Sequence, residues 1–148
     1  MSRVKKIKLI LKDAISVTPD RGSIFFKTGK GDYAEGDKFI GVTVPALRKI
    51  AKDFKDLSFS DLDLLLKSKI NEERFFALII LVDQYTKASE QSKEDLYQFY
   101  LKNLKYVNNW NLVDCSAHLI VGAHLWEKDR KVLLELASSE VLWERRVA

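Results

Sequence analysis

The sequence predicts an all-α protein, and three observations carry that prediction. Apolar residues recur at helical spacing almost from end to end. Glycine is confined, with five of the six falling between Gly22 and Gly41. No stretch shows the strict alternation of a half-buried strand. The helices also recur in pairs. The segments EERFFA (72–77), WNLVDC (110–115) and WERRVA (143–148) each open the second helix of a pair, with Arg74, Asn111 and Arg145 separated by 37 and 34 residues. That spacing, with two helices per unit, marks an α-solenoid of HEAT or armadillo type. An ordinary helical bundle is the alternative, since amphipathic helices resemble one another.

Taken in order, Val4, Ile7, Ile10, Leu11 and Ile15 mark a first amphipathic helix. The glycine-rich RGSIFFKTGKGDYAEGDKFIGV follows as the only long loop. Pro45 suits the first turn of a helix, where its missing N–H costs nothing, so VPALRKIAKDF is helical. SFSDLDLLLKS offers serine caps and a leucine face, and NEERFFALIILVDQY forms the next helix. Ser92 and Asp95 have the capping-box spacing and open EDLYQFYLKNL. WNLVDCSAHLIVGAHL, DRKVLLELAS and the start of a helix in SEVLWERRVA complete the order. The last helix opens near Ser139 or Glu140 with no capping residue after it. Residues 1–148 are therefore expected to form a single domain, either truncated at its C-terminal side or covered there by another molecule.

A chain of 148 residues, 47% apolar and 31% charged, is long enough to bury a core and is neither disordered nor fibrous. The lone cysteine, Cys115, excludes an internal disulfide and fits a reducing, cytoplasmic setting. The basic N-terminus lacks a signal-peptide pattern, and no apolar run is long enough to span a membrane. The net charge of +4 is uneven: residues 1–60 carry +6, residues 61–100 carry −3 and residues 101–148 carry +1. A basic first third suits a polyanion such as nucleic acid, and suits solubility as well.

On a helix, Trp110, Asp114, Ala117, His118 and Val121 share one face, beside an apolar sector of Leu112, Val113, Ser116, Leu119, Ile120 and Ala123. An acid one turn from an indole on such a boundary admits two readings. Asp114 pairs with Arg74, Arg145 or Arg146 to tie repeats together, or it serves a groove. Gly29-Lys30-Gly31 lacks the phosphate-loop pattern. His118 and His124 have no partners at metal-ligand spacing, so neither a metal nor a cofactor is expected. Cys115 has no activating base and is expected in the core, as are Trp126 and Trp143, the latter with a place facing the groove as its alternative.

The blocks FKTGKGDYAEGDKFIGVTVPALRKIAK, SKINEERFFALIILV, VNNWNLVDCSAHLIVG and SEVLWERRVA together resemble the AlkD-like family of DNA alkylation repair enzymes. That resemblance implies a HEAT-like superhelix of antiparallel helix pairs whose basic concave face holds duplex DNA carrying alkylated bases. It also implies a glycosylase that releases N3- or N7-alkylated purines, using a Trp and an Asp one turn apart, a later Arg and a further Trp. Trp110 and Asp114 match the first two. Arg146 is the better match to the third, with Arg145 the register alternative, and the further Trp has no counterpart. Asn111 and Asn109 stand where some members carry an acid and a second aromatic. Arg74, Arg145, Lys27, Lys30, Lys38 and Arg48 are the basic residues expected to meet DNA. The alternatives are a non-catalytic module binding duplex or branched DNA by charge, and a protein-interaction scaffold.

Overall fold

The protein is all-α. The computed structural model describes residues 1–148, the side chain of Ser23 excepted. Nine α-helices are found among the described residues: α1 (Arg3–Asp13), α2 (Pro19–Phe25), α3 (Val44–Ala51), α4 (Phe59–Leu66), α5 (Asn71–Lys87), α6 (Glu90–Lys102), α7 (Trp110–Asp114), α8 (Lys131–Ala137) and α9 (Leu142–Val147). A 3-10 turn (Leu104–Tyr106) and a π-helical turn (His118–Gly122) complete the regular structure. No helix among the described residues is long and apolar enough to cross a membrane. The chain divides into two compact units, Met1–Ile80 and Leu81–Ala148.

In the first unit α1 packs against α4. The helical spacing of Val4, Ile7 and Leu11 puts them on one buried stripe, and Leu62, Leu65 and Leu66 form another. Ser2 and Ser58 cap these helices by accepting the Lys5 and Asp61 N–H groups. Phe54 and Phe76 meet edge to face at 6.1 Å within the same core.

The glycine-rich segment differs from its expected form, because its start is helical. Pro19 sits in the first turn of α2, and Gly22, which reads as a breaker, is tolerated because Phe39 needs the space. A Cβ on Gly22 would lie 2.7 Å from the Phe39 ring, which stacks on Phe26 at 4.6 Å. The rest of the segment is held by the start of α5. Lys38 and Ile70 form an isolated parallel bridge, in which Lys38 donates its N–H to Lys69 and accepts from Asn71. The buried Glu72 carboxylate accepts the N–H groups of Ile40 and Gly41 at 2.8–3.2 Å. Gly41 is in the left-handed region, at φ +90°, and a side chain there would run into the Val17 carbonyl.

The second unit is built on α6, which starts three residues before the expected box. Ser89, not Ser92, is the cap, its hydroxyl accepting the Ser92 N–H. Tyr97 and Tyr100 are buried; the Tyr97 ring stacks on His124 at 4.0 Å. Tyr100 shares a hydrogen bond with Ser116 at 2.9 Å. His124, itself buried, bonds the Tyr85 hydroxyl through Nδ1 at 3.0 Å and reaches Glu94 through Nε2 at 2.8 Å. Against expectation Trp126 is not a core residue, being 74% exposed.

Replacing Glu72 by Ala strands two amides and should destabilise the protein by about 1–3 kcal/mol in urea unfolding, whereas Glu72→Gln keeps one acceptor and should cost less. Equal losses from the two variants would show that the carboxylate is not what holds residues 40–41.

Candidate active site

The site grows from a short helix with a buried start. Asn109, fully buried in extended backbone, accepts the Trp110 N–H on its side-chain oxygen at 2.8 Å. Leu112 and Val113 then anchor α7 in the core. Trp110 is left half-buried at the start of the helix, with Asp114 exposed at its end.

Helical periodicity predicts one long helix through Leu125, but α7 stops after Asp114. The reason lies in two side chains that compete for one carbonyl. The Ser116 hydroxyl donates to the Leu112 oxygen at 2.6 Å and the Cys115 thiol does so at 3.3 Å, the back-bonding that loosens a helical ladder. Cys115 is half-buried rather than a full core residue. Beyond the break Ala117, Ile120 and Val121 turn into the core while His118 stays exposed. The expected face of Trp110, Asp114, Ala117, His118 and Val121 therefore splits, keeping Asp114 and His118 outside.

Helix α9 packs against α7 and brings Arg146 to Asp114. Nε donates to Oδ1 and Nη2 to Oδ2, both at 2.8 Å. This is a planar, two-pronged pair with about half of each side chain exposed. The Arg146 guanidinium holds the Asp114 carboxyl below its ordinary range, against the opposing effect of desolvation, with a smaller pull from His118. The same contact raises Arg146. Both groups are charged at neutral pH, and Arg146 keeps Nη1 outside the pair.

The other residues singled out in the sequence are dispersed. Arg145 is exposed, with Nη1 donating to the Ser139 carbonyl at 2.7 Å. Lys27, Lys30, Lys38 and Arg48 lie exposed in the first unit. Arg74 departs from its expected role as a DNA contact. Its side chain is buried, bonded to the Asp37 carboxylate and to the Ser68 carbonyl. Both charges are desolvated together, so this guanidinium is committed to holding residue 37. Asp37 was not legible as its partner, since the two lie 37 positions apart. The role of Asn109 was legible in principle, because Asn directly before a helical run is a capping signal. In the glycine loop, Gly29 and Gly31 donate their N–H groups to Asp32 and Glu35; carboxylates occupy these amides, where a phosphate cradle needs them open.

A double-mutant cycle on Asp114→Asn and Arg146→Gln should give a coupling of about 0.2–1 kcal/mol, the range for a pair this exposed. Because the folded Asp114 carboxyl titrates below its unfolded value, the coupling should be complete above the unfolded value. It should vanish as pH falls through the folded one. A coupling of about 3 kcal/mol or more would mark the pair as a buried structural tie instead.

Residues 17–148 match the family of DNA alkylation repair enzymes. No curated protein and no solved structure matches the chain. The family match takes in the acidic start of α5, all of α7 and the Asp114–Arg146 pair. The chain belongs to the DNA alkylation repair enzyme family, and its role lies in the repair of alkylated DNA.

Proposed function

We propose that this protein is a DNA glycosylase that releases positively charged N3- or N7-alkylated purines from duplex DNA. The observation that carries the reading is the solvent-facing carboxylate of Asp114, kept ionised by Arg146 one helical turn from Trp110.

Alkylation at N3 or N7 makes the purine cationic, so it departs as a neutral base and needs no proton from the enzyme. Positive charge instead grows on the deoxyribose as the glycosidic bond breaks. A fixed carboxylate near that sugar stabilises the change, by the logic of an oxyanion hole with the sign reversed. Asp114 supplies the carboxylate and orients the attacking water. The Trp110 ring face holds the cationic nucleoside, worth about 0.5–2 kcal/mol.

Arg146 needs more care, since a guanidinium locked on Asp114 would cancel the charge that the reaction uses. Only Nε and Nη2 are engaged. Nη1 is available to a backbone phosphate, and a phosphate bound there neutralises the guanidinium in turn. DNA binding thus returns a net negative charge to Asp114 at the point where the sugar arrives. The same pair also serves a second reading, in which it only ties α9 to α7 and the chain binds DNA by charge.

Asp114→Asn should lower release of methylated purines from methylated duplex DNA by about 10²–10³-fold, with binding little changed. Arg146→Ala should weaken binding and reduce its salt slope by about one. Steep salt-dependent binding without any base release by the wild type would sink the glycosylase reading in favour of the DNA-binding module. Absence of binding at moderate salt would leave a protein scaffold.

A further inference from the structure

We propose that α1 is a DNA-docking helix, whose exposed Lys5, Lys6 and Lys12 hold the phosphates of duplex DNA whether or not the duplex is damaged. This role depends on the family's work on DNA and not on the glycosylase reading of Asp114. The helix spans Arg3–Asp13, outside the segment that matches the family, which begins at residue 17.

The charge of the chain is concentrated there. Residues 1–16 carry five basic side chains and one acid, out of 25 and 21 in the whole sequence. Residues 17–148 therefore hold 20 of each and are electroneutral, so the net charge of +4 resides on α1 and its flanks. Long-range attraction to a polyanion starts from that helix.

Burial decides which face is presented. Val4, Ile7 and Leu11 are buried and α1 packs on α4, while Lys5, Lys6 and Lys12 are exposed. These three lysines have no ion-pair partner among the described residues. Exposed lysines elsewhere meet an acid one turn away on their own helix, as in Lys67–Asp63, Lys87–Asp83 and Lys93–Glu90. In α1 the matching positions are basic or apolar. Lys5, Lys8 and Lys12 follow one another at three and four residues, the spacing at which like charges repel. No acid stands in the first turn, so Arg3, Lys5 and Lys6 also oppose the positive end of the helix dipole. Such a pattern works against the helix, and a polyanion laid over it relieves the repulsion.

The remaining two cations of α1 hold it in place. Arg3 donates from both terminal nitrogens to the Asp56 carboxylate at 2.6 and 3.1 Å, and Lys8 reaches the buried Glu73 at 2.7 Å. The unpaired lysines thus stand on a fixed helix, with Lys5 and Lys12 about 10 Å apart along its axis. That distance is about three base-pair rises of a duplex. An anionic membrane fits less well, because a helix lying in a lipid surface turns its apolar face to the lipid, and here that face is packed in the protein core. Contacts to phosphate carry no sequence or lesion information, so α1 serves docking and leaves recognition to other residues.

The test is binding of an undamaged duplex by the intact chain between about 50 and about 200 mM salt. Wild type is compared with K5Q/K6Q/K12Q and with a control, K67Q/K87Q/K93Q, that removes the same charge from acid-matched lysines. The first variant should lower the slope of log K against log salt by about 2.7, and weaken binding about tenfold or more at about 50 mM salt. The control should move the slope by less than about one. Arginine at all three α1 positions should restore the wild-type slope. The unfolding temperature of K5Q/K6Q/K12Q should equal or exceed that of wild type; a fall would make the lysines structural and overturn the docking role. An unmoved slope in that variant, or equal changes in both variants, also overturns it and leaves the glycosylase reading standing. A lowered slope in a protein that frees no base supports the docking helix and sinks the glycosylase reading alone. Failure of wild type to bind duplex overturns the docking role outright. Binding to phosphatidylserine vesicles that is lost in K5Q/K6Q/K12Q, with DNA binding intact, overturns it in favour of a membrane.

Discussion

Four consecutive side chains at the start of α5 hold the N-terminal unit together. Asn71 donates its side-chain amide to Asp37, and its backbone N–H to the Lys38 carbonyl. Glu72 accepts from Ile40 and Gly41, Glu73 pairs with Lys8 on α1, and Arg74 bonds Asp37. All four are buried. Ordering a segment with five glycines costs more backbone entropy than ordering one of the same length without them, and hydrogen bonds from backbone amides to a buried carboxylate are about twice as strong as neutral ones. Two acids in the first turn are also favoured by the helix dipole. The polarity of NEER is therefore the means by which an apolar helix captures a loop that has little apolar surface of its own.

Helix α7 solves a different problem with similar means. Five residues are too few to be stable by helix propensity, and the segment persists because both ends are tied. Asn109 fixes the entry, Leu112 and Val113 are in the core, and Tyr100 and Ser116 secure the exit. The early termination has a consequence for the site. It lets Ala117, Ile120 and Val121 turn inward while Asp114 and His118 stay out. The Asp114 carboxylate thus stays exposed at the end of a helix that is tied at both ends.

Much of this was legible in the sequence, and the exceptions share a cause. Apolar spacing found α1, α3, α4 and α5 because burial is written in which residues are apolar. It missed α2, since Gly22 looks like a breaker until Phe39 is seen lying against it. It ran α7 on into the π-helical turn because periodicity does not register a Ser and a Cys competing for the Leu112 carbonyl. Trp126 looked like packing on its chemistry alone, and nothing in its neighbours announced an exposed indole. What escaped in each case was a contact made by a residue remote in sequence, or a polar choice made by a side chain that could have gone either way.

The two arginine–aspartate pairs make the same point about function. Arg74–Asp37 and Arg146–Asp114 involve the same groups, and the family resemblance puts both arginines forward, Arg74 as a DNA contact and Arg146 as the later Arg. Their side chains are 4% and 6% exposed in the first pair, 47% and 46% in the second. Withdrawing Arg74 to meet a phosphate would leave a desolvated carboxylate without a counter-charge, a loss of about 3–5 kcal/mol that one phosphate contact does not repay. Drawing on Arg146 costs about 1 kcal/mol at most, because water takes its place. Burial therefore decides which guanidinium is structure and which can change partners: Arg74 is committed to Asp37, whereas Arg146 sits in a pair that water already reaches.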